Sequence, residues 1–344
     1  MRVVSVIKIF GAAFDPLDLV ERVDLKLAYL NWLKGHDIYE DNPLDPYDFF
    51  ETRFEQKECN ASQVEWIGKF PIESWLRPKP SHHDIPNIIP GKFTEFLDKN
   101  GCHDYSKKLV DYLKETMHSS IPVMIGVDHC LTGGVLRFLR EKPGEFNILI
   151  FDSHCDMVDL ETRKSYFGPH LGLKDQFFGE EIYECGSFLS YLLNEKIIRP
   201  ENVWIMGTQD LDQFKENARP LYSKKILPWI EQGMHIVSKE NLVLSGIPHE
   251  IRGPTYISFD MDLGSLSSVF ATRFLNYIGL NTEEILGLVD ELSKRIRAKK
   301  IELIGLDVME MDIHFLGATI GEHQDHTPEL ASEIIDRIVY SNLS

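Results

Sequence analysis

The stretch Asn147–Asp159, NILIFDSHCDMVD, does most to limit what this chain can fold into. Its apolar half, Asn147–Phe151, is a short β-rich run of the kind that forms a strand buried on both faces. Asp152, His154 and Asp156 follow, spaced two apart. In extended backbone, residues so spaced point to the same side, so three ligand-type groups converge at the strand's carboxyl end. Parallel sheets bind ligands at that edge. For this motif alone, a polar loop whose Asp and His cap the next helix is an equally good reading, since such caps are common.

The pattern recurs. Ile121–Val127 runs into Asp128 and His129, Tyr256–Phe259 into Asp260 and Asp262, and Ile301–Leu306 into Asp307 and Glu310. Random capping does not gather carboxylates and imidazoles at one edge of a sheet in this way. Crowded carboxylates are tolerable only if protonated or neutralised by cations. Oxygen-rich ligation with two imidazoles suits Mn²⁺ better than a structural Zn²⁺ site, where thiolates are usual. The six ligands His129, Asp152, His154, Asp156, Asp260 and Asp262 are too many for one small ion with an open position. A two-metal cluster, two Mn²⁺, is the economical reading.

Between these runs the chain alternates. Strands are expected over Arg2–Phe10, Ile121–Val127, Asn147–Phe151, Val203–Gly207, His235–Val237, Tyr256–Phe259 and Ile301–Leu306. Helices are expected over Leu17–Leu33, Tyr105–His118, Leu131–Glu141, Gly186–Lys196, Thr282–Ala298 and Pro328–Tyr340. This rhythm predicts an α/β fold with a parallel sheet covered on both faces, in one domain spanning 1–344. His36–Lys92 breaks the rhythm: it is rich in proline and aromatic residues, and its prolines are expected to interrupt any regular element. Its aromatics fit packing against the chain's own domain, a lid, a docking arm or a contact in a homo-oligomer.

With 344 residues, 43% of them apolar, the chain can bury a full core. The net charge of −18 argues against nucleic acid or an anionic membrane as partner and favours the approach of a cationic substrate. No run is long and apolar enough to span a membrane, and Met1–Phe10 has no signal-peptide pattern. Five scattered cysteines read as reduced thiols, so a cytoplasmic location is expected.

Ile121–Gly134 (IPVMIGVDHCLTGG), Ile150–Asp156 (IFDSHCD) and Tyr256–Asp262 (YISFDMD) resemble, in order, the three metal-ligand signatures of the arginase and agmatinase (ureohydrolase) superfamily. The resemblance continues at Phe270-Ala271-Thr272, Gly279-Leu280-Asn281 and Ile304–Glu310 (IGLDVME). Ile9–Asp15 (IFGAAFD) looks like the family's opening strand and turn. It implies a three-layer α/β/α fold, arginase-like, and a binuclear Mn²⁺ centre. By position His129, Asp152, Asp156 and Asp260 would hold one ion. His154, Asp152, Asp260 and Asp262 would hold the other, with Asp152 and Asp260 bridging. Two such cations lower the pKa of a bridging water, which suits hydrolysis of a guanidinium to urea and an amine. Glu310 stands where the family places the carboxylate that grips the guanidinium, through two parallel N–H bonds. Glu310 and Asp156 are read as catalytic. His170 or Cys185 aligns with the family's substrate-side histidine, the usual proton shuttle.

The departures bear on the substrate. Val158 replaces an Asn that contacts the α-carboxylate of free arginine, whereas Asp212 matches the acidic residue near the α-amino group. The connection Val158–Glu184 looks longer than in enzymes acting on the free amino acid. Together these resemble peptide arginases, which convert arginine side chains of a precursor peptide to ornithine. The alternatives are a small guanidino compound such as agmatine or free arginine, and a metal- or guanidine-binding protein without activity.

Overall fold

The computed structural model describes residues 6–17, 19–34, 43–55, 63–157, 182–209 and 220–342. The chain enters through β1 (Ile7–Ala12) and α1 (Val20–Leu33), followed by α2 (Pro46–Glu55), β2 (Val64–Lys69), α3 (Pro90–Asp98) and α4 (Gly101–Thr116). Next come β3 (Ile121–Gly126), α5 (Thr132–Arg140), β4 (Asn147–Phe151), α6 (Phe188–Asn194), β5 (Val203–Thr208) and α7 (Pro220–Glu231). The last part holds β6 (His235–Ser238), α8 (Lys239–Ser245), β7 (Gly253–Asp260), α9 (Thr282–Arg297), β8 (Ile301–Met309) and α10 (Thr327–Ile338).

Eight strands form one sheet in the order β2-β1-β3-β8-β7-β4-β5-β6, and all its pairings are parallel. Successive side chains of the central strands leave on opposite faces. Met124, Ile148 and Ile150 join Val23, Leu30, Phe93, Leu109, Val135 and Leu189 in one apolar layer. Val123, Ile125, Leu149 and Phe151 join Phe50, Leu242, Leu288 and Ile334 in the other. The result is the three-layer α/β/α arrangement, its sheet buried on both sides. Helix starts are locally encoded: Asn281 and Glu284 cap α9 reciprocally, each side chain accepting from the other's N–H at 3.0 and 2.8 Å.

The expectation that proline interrupts regular structure across 36–92 is corrected. Its described part holds α2, β2 and the start of α3, because two of its prolines sit where helices begin: Pro46 opens α2 and Pro90 opens α3. β2 is the edge strand beside β1. The aromatics pack inward: Tyr47, Phe50 and Phe54 are buried, and Trp66 Nε1 donates to the Tyr340 hydroxyl at 3.0 Å. α7 and α8 were not anticipated at all, and β8 runs three residues past its expected end at Leu306.

Close approach explains one glycine of the DHCLTGG motif. A Cβ on Gly133 would lie 2.0 Å from the Tyr183 hydroxyl. That hydroxyl donates to Cys130 O at 2.7 Å and meets Ser106 Oγ at 3.1 Å, fixing the turn that carries His129. No helix of the described residues is long and apolar enough to cross a membrane.

Candidate active site and metal centre

Sheet order decides which strand ends meet. β3, β8, β7 and β4 lie side by side, so the side chains that follow them share one edge. Asp152 comes directly after β4, Asp260 closes β7, Glu310 follows β8 and His129 opens the turn after β3.

At the inner cluster, capping and ligation, which compete as readings of the sequence, use different oxygens of the same carboxylates. Asp152 Oδ1 accepts from His154 N at 2.6 Å, and Asp260 Oδ1 accepts from Asp262 N at 2.9 Å. These bonds shape the turns. Each carboxylate's second oxygen is left for the site: Asp152 Oδ2 lies 3.5 Å and Asp260 Oδ2 3.1 Å from His129 Nδ1. Asp156 Oδ2 is 2.9 Å from the same nitrogen, held there by a backbone at φ +49° that a non-glycine residue rarely adopts.

Two clusters result. His129, Asp152, Asp156 and Asp260 form the inner one, all buried. Asp152, His154 and Asp262 form the outer one, with His154 Nδ1 3.0 Å from Asp262 Oδ2 and the His154 side chain 44% exposed. Asp152 belongs to both clusters. Four buried ligand-type atoms here have no hydrogen-bond partner: His129 Nδ1, Asp152 Oδ2, Asp156 Oδ2 and Asp262 Oδ2. Buried polar atoms are nearly always paired, so this concentration fits cation ligands. Electrostatics agree. Burial and the Asp152 charge push Asp156 well above the usual carboxylate range, and burial with Asp262 and Asp152 does the same to Asp260. Burial opposes charge on His129, yet Asp152, Asp156 and Asp260 outweigh it and raise the imidazole well above its ordinary value. Burial opposes charge on Asp152 too, but His129 and His154 hold it below the usual carboxylate range, so the imidazoles offset Asp152 and leave Asp156 and Asp260 uncompensated.

The inner imidazole is fixed from behind. His129 Nε2 meets Ser258 Oγ at 2.8 Å, and Ser258 Oγ donates to Asp307 Oδ1 at 2.5 Å. Asp307 also accepts from Thr132 Oγ1 at 2.6 Å and from the Tyr256 hydroxyl. Asp307, grouped by sequence with the strand-end carboxylates, thus lies inside β8 and orients a ligand through a serine. Such outer partners set tautomer and ring direction. Ser258 went unnoticed because its only signal is an alternate position within a strand.

Glu310 is buried at φ +61°. Its Oε1 accepts from His129 N at 2.8 Å and from Arg273 Nη1 at 3.3 Å, whereas Oε2 is buried without a partner. The fork expected from sequence, with both oxygens open to a substrate, therefore has one prong already engaged. Burial raises Glu310 well above the carboxylate range; Arg273 pulls it down and Asp260 and Asp128 push it up. Asp128, Cys185 and Glu310 form a third group of ligand-type atoms, but Arg273 Nη1 lies 2.8 Å from Asp128 Oδ2, so a guanidinium supplies its positive charge. Sequence reasoning missed Arg273; its signal was an arginine directly after the quoted Phe270-Ala271-Thr272. Cys185 is buried, and burial with Asp128 and Glu310 pushes its thiol well above the ordinary value. His170, Val158 and Asp212 lie outside the described residues. Cys102, Cys130, Cys155 and Cys185 are buried and in no disulfide.

A parallel three-layer α/β/α frame with a histidine–aspartate cluster at its central strand ends defines one class of metal-site protein. The sequence model of the Arginase family matches residues 49–340, and the chain belongs to that metal-dependent family. A guanidinobutyrase of Pseudomonas aeruginosa is 26% identical over 204 residues, which cover 56% of this chain and 54% of that protein. A guanidinopropionase of the same organism is 25% identical over 258 residues, covering 68% and 69%. The chain thus spans about half of one of these relatives and about two thirds of the other. An arginase structure from Bacillus subtilis superposes with a TM-score of 0.60 at 16% identity, covering 97% of this chain and 98% of that one.

Proposed function

We propose that the chain hydrolyses a terminal guanidino group to urea and an amine, using two Mn²⁺ ions. The observation that carries this reading is the pair of clusters sharing Asp152, with four buried ligand-type atoms left unpaired. His129, Asp152, Asp156 and Asp260 would hold one ion, and His154, Asp152, Asp260 and Asp262 the other. Bound there, divalent cations supply water activated at neutral pH. Glu310 receives the substrate's guanidinium on its open oxygen, so the cationic group is drawn in and its carbon is set beside the ligand cluster. The water oxygen joins the guanidinium carbon, the C–N bond to the alkyl nitrogen breaks, and both of the water's protons end on that departing nitrogen, giving urea and an alkylammonium. The buried Phe188 ring lies 5.0 Å from that of His129, an apolar neighbour to the inner cluster.

For the substrate, Val158 and the long Val158–Glu184 connection support the arginine side chain of a peptide, giving ornithine. The relatives named guanidinobutyrase and guanidinopropionase support a small guanidino compound instead. Urea release with Mn²⁺ from an arginine-containing peptide, from agmatine and from free arginine separates the two. Release from the peptide alone upholds the peptide reading, and release from agmatine alone replaces it. Tight Mn²⁺ binding with no urea from any guanidine removes the hydrolase assignment.

A further inference from the structure

If Glu310 holds a substrate guanidinium, as proposed above, the chain's own guanidinium beside it needs an explanation. Arg273 has a fully buried side chain, and its Nη1 donates to Val127 O at 3.1 Å, Asp128 Oδ2 at 2.8 Å and Glu310 Oε1 at 3.3 Å. Its Nε lies 3.6 Å from Asp15 Oδ1. Main-chain bonds tie the same two residues: Arg273 N donates to Glu310 O at 3.0 Å, and Thr272 Oγ1 donates to that carbonyl at 3.0 Å. Glu310 is thus gripped at both backbone and side chain, in a left-handed conformation that needs such support.

A carboxylate oxygen offers two acceptor positions. On Oε1 both are taken, by His129 N and by Arg273. On Oε2 none is. Arg273 is shared among Glu310 at 3.3 Å, Asp128 at 2.8 Å and Asp15 at 3.6 Å, so its single charge is divided over three carboxylates and the three together keep a net attraction for an incoming cation. We propose that Arg273 is a positioning residue for guanidinium recognition: it clamps Glu310 Oε1, so that substrate is held through Oε2 alone and not by a fork across both oxygens.

Arg273→Ala removes the clamp and opens space for a free guanidinium ion beside Asp128 and Glu310. In the metal-loaded variant, KM for the guanidino substrate rises at least ~10-fold, the scale of losing a charged hydrogen bond. Metal content stays at the wild-type level. Millimolar guanidinium lowers KM again in Arg273→Ala but only competes in the wild type, and it raises the Tm of the variant alone. Arg273→Lys keeps the charge without the fork, restores part of the KM, and carries the test if the alanine variant does not fold. A wild-type KM in either variant, or metal lost together with KM, overturns the proposal. If the wild type releases no urea from any guanidine, the functional reading falls by itself. Calorimetric binding of methylguanidinium then decides Arg273 separately: weaker binding to the variant keeps the clamp, and equal binding removes it.

Discussion

The two halves of the ligand cluster share Asp152 yet are built differently. The inner half is closed: His129 is wholly buried, its far nitrogen is tied through Ser258 to Asp307, and three aspartates face its near nitrogen. The outer half is open: the His154 side chain is 44% exposed, meeting Ser153 Oγ at 3.2 Å and Asp262 Oδ2 at 3.0 Å. A buried charged group must be matched by its surroundings, whereas an exposed one is partly matched by water. The inner position should therefore bind its ion more tightly and fail more completely when altered.

The largest effect is expected where the halves join. Asp152→Ala should abolish both metal occupancy and urea release, read by elemental analysis and a urea assay. One ion retained at full strength would mean that the halves do not share Asp152. Next, His129→Ala should lose more metal than His154→Ala, which keeps the inner ion. Equal losses in metal titrations would erase the inner–outer distinction. Glu310→Ala should leave metal content intact while kcat/KM drops roughly 100-fold or more, the scale of removing a buried charged partner. Full activity in that variant would remove the guanidinium role of Glu310. Asp307→Asn should weaken the inner ion by about 10–100-fold with little change at the outer one. A loss spread over both halves would show that Asp307 supports the edge in general.

The smallest effect lies away from both halves. Lys26 is buried 3.0 Å from Asp15 Oδ2, which also meets Arg22 at 3.2 Å. Burial, against the pull of Asp15, lowers the Lys26 pKa from 10.5 to about 8. Between those values the unfolded chain binds more protons than the folded one, so this group makes stability rise with pH from about 8 towards 10.5. Denaturant titrations should show a rise on the order of 1–3 kcal/mol that Lys26→Met lacks, with metal content unchanged. An equal rise in the variant would assign it elsewhere.

How much of this was legible in the sequence depended on the range of the signal. Asp152, His154 and Asp156 could be grouped because alternate positions after a strand share a side. Joining them to His129, Asp260 and Asp262 needed only the rule that parallel strands end at one edge. α2 was hidden because proline was read as a breaker where Pro46 stands at a helix start, and β2 because the whole stretch 36–92 was read as irregular. Asp307 was misplaced because nothing local marks where β8 ends.

The sequence by itself determined the alternation of strands and helices, the carboxyl-edge location of the acidic and imidazole groups, and their residue types. These follow from periodicity and neighbouring positions, which the chain carries without folding. Only the tertiary structure decided that β3, β8, β7 and β4 are adjacent, that the second oxygens of Asp152 and Asp260 meet His129, and that Arg273 engages Glu310. Those are contacts between residues far apart in the chain, often well over a hundred positions, and closing such loops depends on packing that no single segment encodes.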